Sequence, residues 1–234
     1  MSFNQDYDRK FFGVYPGKCV DSSDPKGKGR VRLQVPQVTG QAVTEWAFPI
    51  GGAIAQINYP YGTFYTNASQ TVTAANTATV ANNWVEDDTN KTHLDGTKLY
   101  VEESGDYMLQ FSAVMSKSNA NAQDADIWIR KNGVDLENSD TVVTLSGSSG
   151  HSVVTVALIL DLEANDYIEF VFSGVSTSTS LQYHAAGSSP TRPACPGIIA
   201  TLSLIGKYRP QPGTPVWVSY IGGDPNFPVW TGAM

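Results

Sequence analysis

The chain has 234 residues, 41% hydrophobic and 16% charged, with 21 glycines, 13 prolines and a net charge of −7. That composition is globular, not disordered, fits one large domain or two ordinary ones, and is rich in the turn formers that separate short strands. No apolar run approaches a membrane span, and an acidic chain repels phosphate, so neither membrane insertion nor general nucleic-acid binding is expected.

The first ten residues are polar and predict an arm; they lack the basic-then-apolar layout of a secretory leader, so synthesis in the cytoplasm is expected. A strand interrupted by Gly and Pro follows from Phe11 to Asp21. Asp24-Pro25 starts a turn that Gly29 completes. Arg30 to Val35 alternates with period two, which puts Val31, Leu33 and Val35 on one buried face, and Pro36 ends regular pairing. Trp46-Ala47-Phe48-Pro49 is a second short apolar run before Gly51-Gly52. From 59 to 83 the alternation is weak.

From Lys98 the pattern strengthens. Lys98–Val101 leads to an expected turn over Glu103-Ser104-Gly105-Asp106, then a long strand over Tyr107–Met115. Asp126–Arg130 runs into Asn132-Gly133, the strongest short hairpin signal. Ser152–Leu160 is strongly β-branched. Tyr167–Ser173 alternates after the turn Glu163-Ala164-Asn165-Asp166, and Ile198–Ile205 closes the middle. Seven or eight strands at this spacing predict a sandwich or jelly roll. A Pro-rich break over Tyr208–Pro215 precedes Val216–Tyr220, the turn Gly222-Gly223-Asp224-Pro225, and Phe227–Gly232. No amphipathic helix is predicted.

Charge divides the chain unevenly. Residues 1–50 carry seven Lys/Arg and five Asp/Glu, residues 51–207 seven and sixteen, and residues 208–234 one of each. The acidic surplus therefore sits in the middle, as if middle and ends were separate bodies.

Candidate chemistry is sparse. Cys19 and Cys195 are expected as free thiols, and His93, His151 and His184 lie too far apart in sequence to suggest zinc. Asp106, Asp124, Asp126, Asp161 and Asp166 do not form a compact calcium loop, and turn or surface roles are expected. No nucleophile elbow, catalytic triad or glycosidase carboxylate pair stands out, so no enzyme activity and no cofactor are expected. The basic run Lys26, Lys28, Arg30 and Arg32, with Tyr15, Trp217 and Tyr220, could bind a single strand. The expectation is a solvated turn and aromatics that fill a core.

The two ends together resemble a family. The stretch with Asp24, Pro25, Gly29, Arg30 and Val31, continuing to Pro36, is similar to the opening of the oligonucleotide/oligosaccharide-binding (OB) barrel of phage baseplate hub and spike proteins. Trp46 fits its tryptophan segment. Pro212, Gly213, Trp217, Gly223, Asp224, Pro228, Trp230 and Gly232 fit its closing pattern, with Tyr220 where that family has Phe. The middle resembles the trimeric jelly roll of the tumour-necrosis-factor and complement-head type, through Gly105 and Tyr107, Asn132-Gly133 after Lys131, and Asp166, with Asn165 replacing a Gly.

These resemblances imply an all-β fold, an OB-fold barrel split in sequence by an inserted β-jelly-roll domain. The arm would be 1–10, the barrel 11–53 plus 208–234, and the insertion 54–207. They further imply a homotrimeric structural protein of a bacteriophage virion, in the baseplate or tail tip, whose partners are its own copies and other tail proteins. The alternatives are a tail protein that binds a host-surface glycan and a trimeric capsid decoration or vertex protein. The glycosylation-type triplets at Asn67 and Asn90 carry no meaning for a protein made in bacteria.

Overall fold

The computed structural model describes residues 10–26, 28–50 and 59–233, without the side chains of 207–209 and 233. The expected arm, Lys10 excepted, lies outside the described residues, as do Gly51-Gly52 and the expected start of the insertion at 54–58. The fold is almost wholly β. A single helical turn at Pro36–Thr39 and a 3-10 turn at Ile221–Gly223 are its helices among the described residues. Neither is long and apolar enough to cross a membrane.

The chain divides into two compact units. The first holds the described residues before Tyr59, with Glu103–Gly105 and Lys207 onward; the second holds Tyr59–Glu102 and Asp106–Gly206.

In the first unit, Tyr15–Asp21 pairs antiparallel with Arg32–Gln34 on one side and Pro215–Tyr220 on the other. Pro215–Tyr220 pairs antiparallel with Pro228–Ala233, which pairs in parallel with Phe48–Pro49. Bridges from Val31 to Ala47 and from Gln34 to Val43 then join the stretch before Phe48 back to the second strand. The ring is closed, and closure removes exposed strand edges. Cys19, Val31, Leu33, Val35, Ala47, Val216, Val218, Tyr220 and Trp230 fill it, with Phe11, Tyr15 and Val38 packed against them. The alternation from Arg30 to Val35 sets this inward face. Gly17 sits where a Cβ would come within 2.9 Å of Val218 and 3.2 Å of the Gln34 carbonyl, so the strands can approach there only without a side chain.

Eight principal segments, lying wholly or mostly in the second unit, are shared between two sheets, four in each. In chain order they are Tyr61–Thr66; the hairpin Thr92–Asp95 with Lys98–Val101; Ser104–Lys117; Gln123–Lys131; Thr141–Leu145; His151–Leu162; Tyr167–Gly174; and Ile198–Arg209. One sheet runs sixth, third, eighth, first; the other fifth, fourth, seventh, second. This is the strand order of a jelly roll. Phe64, Tyr107, Leu109, Phe111, Met115, Ile127, Ile129, Phe170 and Phe172 are all at most 2% exposed, which places the core between the sheets. Phe111 meets Phe170 edge-on at 5.0 Å between ring centres, and Trp84 lies 5.1 Å from the same ring.

Two local readings change. Ser104, Gly105 and Asp106, expected in a turn, begin the long strand Ser104–Lys117: strand pairing overrides the turn preference of Ser-Gly-Asp. Pro36 does not merely end a strand but opens the helical turn Pro36–Thr39, where its missing N–H costs nothing.

Candidate interaction surfaces

The Asp24 motif forms a clasp in the first unit. The Asp24 carboxylate, with its side chain fully covered, accepts hydrogen bonds from the backbone N–H of Lys26 (3.0 Å), Lys28 (2.8 Å) and Arg30 (3.2 Å) and from the Arg30 guanidinium. The guanidinium lies 5.4 Å from the ring centres of both Trp46 and Phe48, a cation–π arrangement. The Arg30 pair, reinforced by those N–H groups, holds the Asp24 carboxyl well below the usual carboxylate range. Gly29, at φ +68°, makes the turn possible, Pro25 is exposed within it and Val31 is fully buried. The expected basic run is thus divided. Arg30 is consumed internally, Arg32 donates to the Thr44 carbonyl at 3.2 Å, and Lys26 and Lys28 face solvent.

The closing motif has comparable roles. Gly213, at φ +102°, donates its N–H to the Cys19 carbonyl at 2.7 Å beside exposed Pro212. Gly223, at φ +73°, accepts from the Phe11 N–H, and Asp224 closes a short turn onto the Asn226 N–H at 2.9 Å. Pro228, Trp230 and Gly232 are buried. Trp217 corrects the expectation that the aromatics fill the core: it is 41% exposed, because it alternates outward between buried Val216 and Val218. Phe12, Phe48, Ile221 and Phe227 are also exposed large apolar side chains on this unit.

In the second unit Asn132 and Gly133 both take positive φ, the type I′ hairpin geometry, and Tyr167 accepts its place beside them by donating its N–H to Asn132 Oδ1 at 3.0 Å. Asp166 accepts from Asn132 Nδ2 and the Glu163 N–H and pairs with Lys131. Burial pushes its carboxyl up, but Lys131, Asn132 and the Glu163 N–H together outweigh burial and hold it low. Tyr107 lies buried in the long strand Ser104–Lys117, as does Gly105, which the division of the chain assigns to the first unit. Of the other aspartates weighed for calcium, Asp124 accepts from Thr144 and Asp126 from Ser173.

One sheet of this unit presents an outward patch of aromatic, aliphatic and hydroxyl side chains flanked by carboxylates: Asp161 is exposed near the end of His151–Leu162, and Tyr61 donates its hydroxyl to Asp88 at 3.4 Å. Tyr65 stands opposite Ile199, Thr63 opposite Thr201 and Tyr61 opposite Ser203, all turned away from the core that Phe64, Ala200 and Leu202 enter. Val153, Thr155, Ala157 and Ile159 are outward positions of His151–Leu162, between outward His151 and Asp161, and Ile205 is 51% exposed. The exposed apolar side chains at the centre of this patch make it a candidate interaction face.

The other sheet carries a cleft of about 450 Å³ around Trp128, with Asp126, Asp135, Asp140 and Ser173 in its wall. The indole N–H donates to Asp135 at 2.8 Å, and burial together with Asp126 raises the Asp140 carboxyl.

No family model and no curated protein sequence matches the chain. Among solved structures it is similar to murine APRIL at pH 8.5, with 12% identity, TM-score 0.42, and coverage of 63% of this chain and 100% of that one. It is likewise similar to Eiger TNF from S. frugiperda, with 11% identity, TM-score 0.43, and coverage of 65% and 95%. The jelly-roll description above rests on strand order, independently of these likenesses.

Proposed function

We propose that the chain is a structural protein of a bacteriophage virion, a baseplate or tail-tip hub or spike component that works by protein–protein contact. In this reading the first unit is an OB barrel interrupted by the second. The observation that carries it is that the two motif-bearing ends pair directly, Tyr15 with Val218 and Gly17 with Val216, in a five-strand ring that runs Tyr15–Asp21, Arg32–Gln34, Phe48–Pro49, Pro228–Ala233, Pro215–Tyr220, with the third and fourth of these parallel. The motif residues Asp24, Arg30, Trp46, Gly213, Gly223 and Trp230 all have turn, clasp or core roles within that ring. Exposed Phe12, Trp217 and Phe227 then supply apolar anchors for neighbouring tail proteins.

Self-association into a homotrimer uses the apolar centre of this outward face of the second unit, where aliphatic and aromatic side chains gain from mutual burial while the flanking carboxylates stay solvated. Immunogold labelling of intact particles tests the location: label at the tail end is expected, label on the head would favour a capsid decoration protein, and unlabelled particles would remove the virion reading. A second reading, recognition of a host-surface glycan, is favoured by the Trp128 cleft, whose ring and carboxylates suit sugar stacking and hydroxyl donors. A glycan array with Trp128→Ala as control tests it.

A further inference from the structure

The second unit contains a different cleft, of about 560 Å³, lined by neutral hydroxyls. Eight of its twelve lining residues are Ser or Thr and none is Asp or Glu. Its one lysine, Lys117, faces the core together with its register partner Thr179, and both are at most 2% exposed. The Lys117 ammonium donates to the carbonyls of Asn119 (2.8 Å), Asn121 (2.7 Å) and Gly147. Its three hydrogens are used, so the cleft offers a ligand neither a carboxylate nor an ammonium.

A row of three hydroxyls crosses the outward face of the same strands. Thr71 is the register partner of Ser180, and Ser180 of Ser116. Register partners share a face and neighbouring strands lie about 4.8 Å apart, so one small ligand can meet all three. The row descends from rim to floor: Thr71 is exposed, Ser180 half-buried, and Ser116 only 7% exposed although it faces outward. None of the three hydroxyls has a hydrogen-bond partner among the described residues, and all three line the cleft. A hydroxyl so deeply covered is normally paired, and the partner of Ser116 has to enter from the cleft. His151 and His184 stand edge to face at 5.8 Å in the wall, with Gln182 also in the lining.

We propose that this cleft binds a neutral saccharide. Each sugar hydroxyl both donates and accepts, as do the hydroxyls of Ser and Thr, so one row meets the other without an unmatched group. A charged ligand would leave its hydration without gaining a counter-charge, which costs more than hydroxyl contacts return. The cleft volume is that of a site for one small ligand. It belongs to the other sheet from the Trp128 cleft. The inference depends neither on that cleft nor on the virion reading.

Titration calorimetry of the full chain with glucose, galactose, maltose and lactose tests it, with glucuronate and glucosamine as charged controls. At least one neutral sugar is expected to bind with a Kd of about 1 mM or below, and both charged sugars at least about tenfold more weakly. Ser180→Val removes the middle hydroxyl at a strand position that suits a β-branched residue. It should weaken the bound sugar at least about tenfold while the melting temperature stays within a few degrees. Ser116→Ala should weaken it similarly, and Trp128→Ala should leave binding unchanged. No heat with any neutral sugar, charged sugars bound as tightly, or undiminished binding to Ser180→Val would each overturn the proposal. Binding lost in Trp128→Ala but kept in Ser180→Val would place the sugar in the other cleft and overturn it equally.

Discussion

Asn132 Nδ2 and Asp166 Oδ1 lie 2.6 Å apart across 34 residues of chain and tie two turns of the second unit together. Asn132 does two things at once: its φ of +51° makes the hairpin, and its amide spans to Asp166 and the Tyr167 N–H. Asn132→Gly keeps the backbone but loses those bonds, and should cost about 1–3 kcal/mol, the range for hydrogen bonds to a charged group. Asn132→Ala should cost more, since it adds left-handed strain. Urea unfolding of both variants checks the order.

Asp24 makes stability depend on acid. Its pKa is depressed in the folded state, so its contribution is full above the ordinary carboxylate pKa of about 3.9 and is lost as pH falls through the folded value. Asp24→Asn should melt lower than the parent at neutral pH, and the gap should narrow steadily below about pH 4. A constant gap across that range would remove Asp24 from the clasp.

The two tryptophans of the closing motif should separate cleanly. Trp230, 5% exposed in the ring core, should cost about 3–5 kcal/mol as Ala. Trp217, 41% exposed, should stay within about 1 kcal/mol. Tyr220→Phe should be neutral or stabilising, because the buried phenol has no hydrogen-bond partner among the described residues. Burial, with Tyr15 adding to it, pushes Tyr220 up to about 12. The unfolded chain therefore ionises first as pH rises above about 10, and Tyr220→Phe should relieve part of the alkaline loss of stability.

The two thiols should differ in reactivity. Burial pushes the Cys19 thiol up to about 11, and its Sγ donates to the Pro210 carbonyl at 3.2 Å. Cys195 is half-buried. Native protein treated with iodoacetamide should be alkylated at Cys195 and not at Cys19 until it unfolds, as peptide mass mapping would show.

Much of the fold was legible where pattern and pairing agree. Val31, Leu33 and Val35 alternate and are buried; Asn132-Gly133 turns; Asn165 takes φ +69° in the place of a Gly. Ser104-Gly105-Asp106 was not legible as strand, since turn-forming residues give way to pairing that only the fold supplies. Nor could Trp217 be told from Trp230, because a one-residue slip at the bulge opposite Trp217 and Val218 sets which indole faces in. The meeting of His151 with His184, edge to face at 5.8 Å, left no trace in the sequence, because it depends on a fold in which distant segments converge.

Solution mass of the full chain by analytical ultracentrifugation tests the assembly reading most directly. It predicts a species three times the 25.2 kDa chain that falls to monomer when Ile199 and Thr201 are replaced by Glu on the outward sheet face. A monomer at micromolar concentration, or a trimer indifferent to those charges, would contradict it.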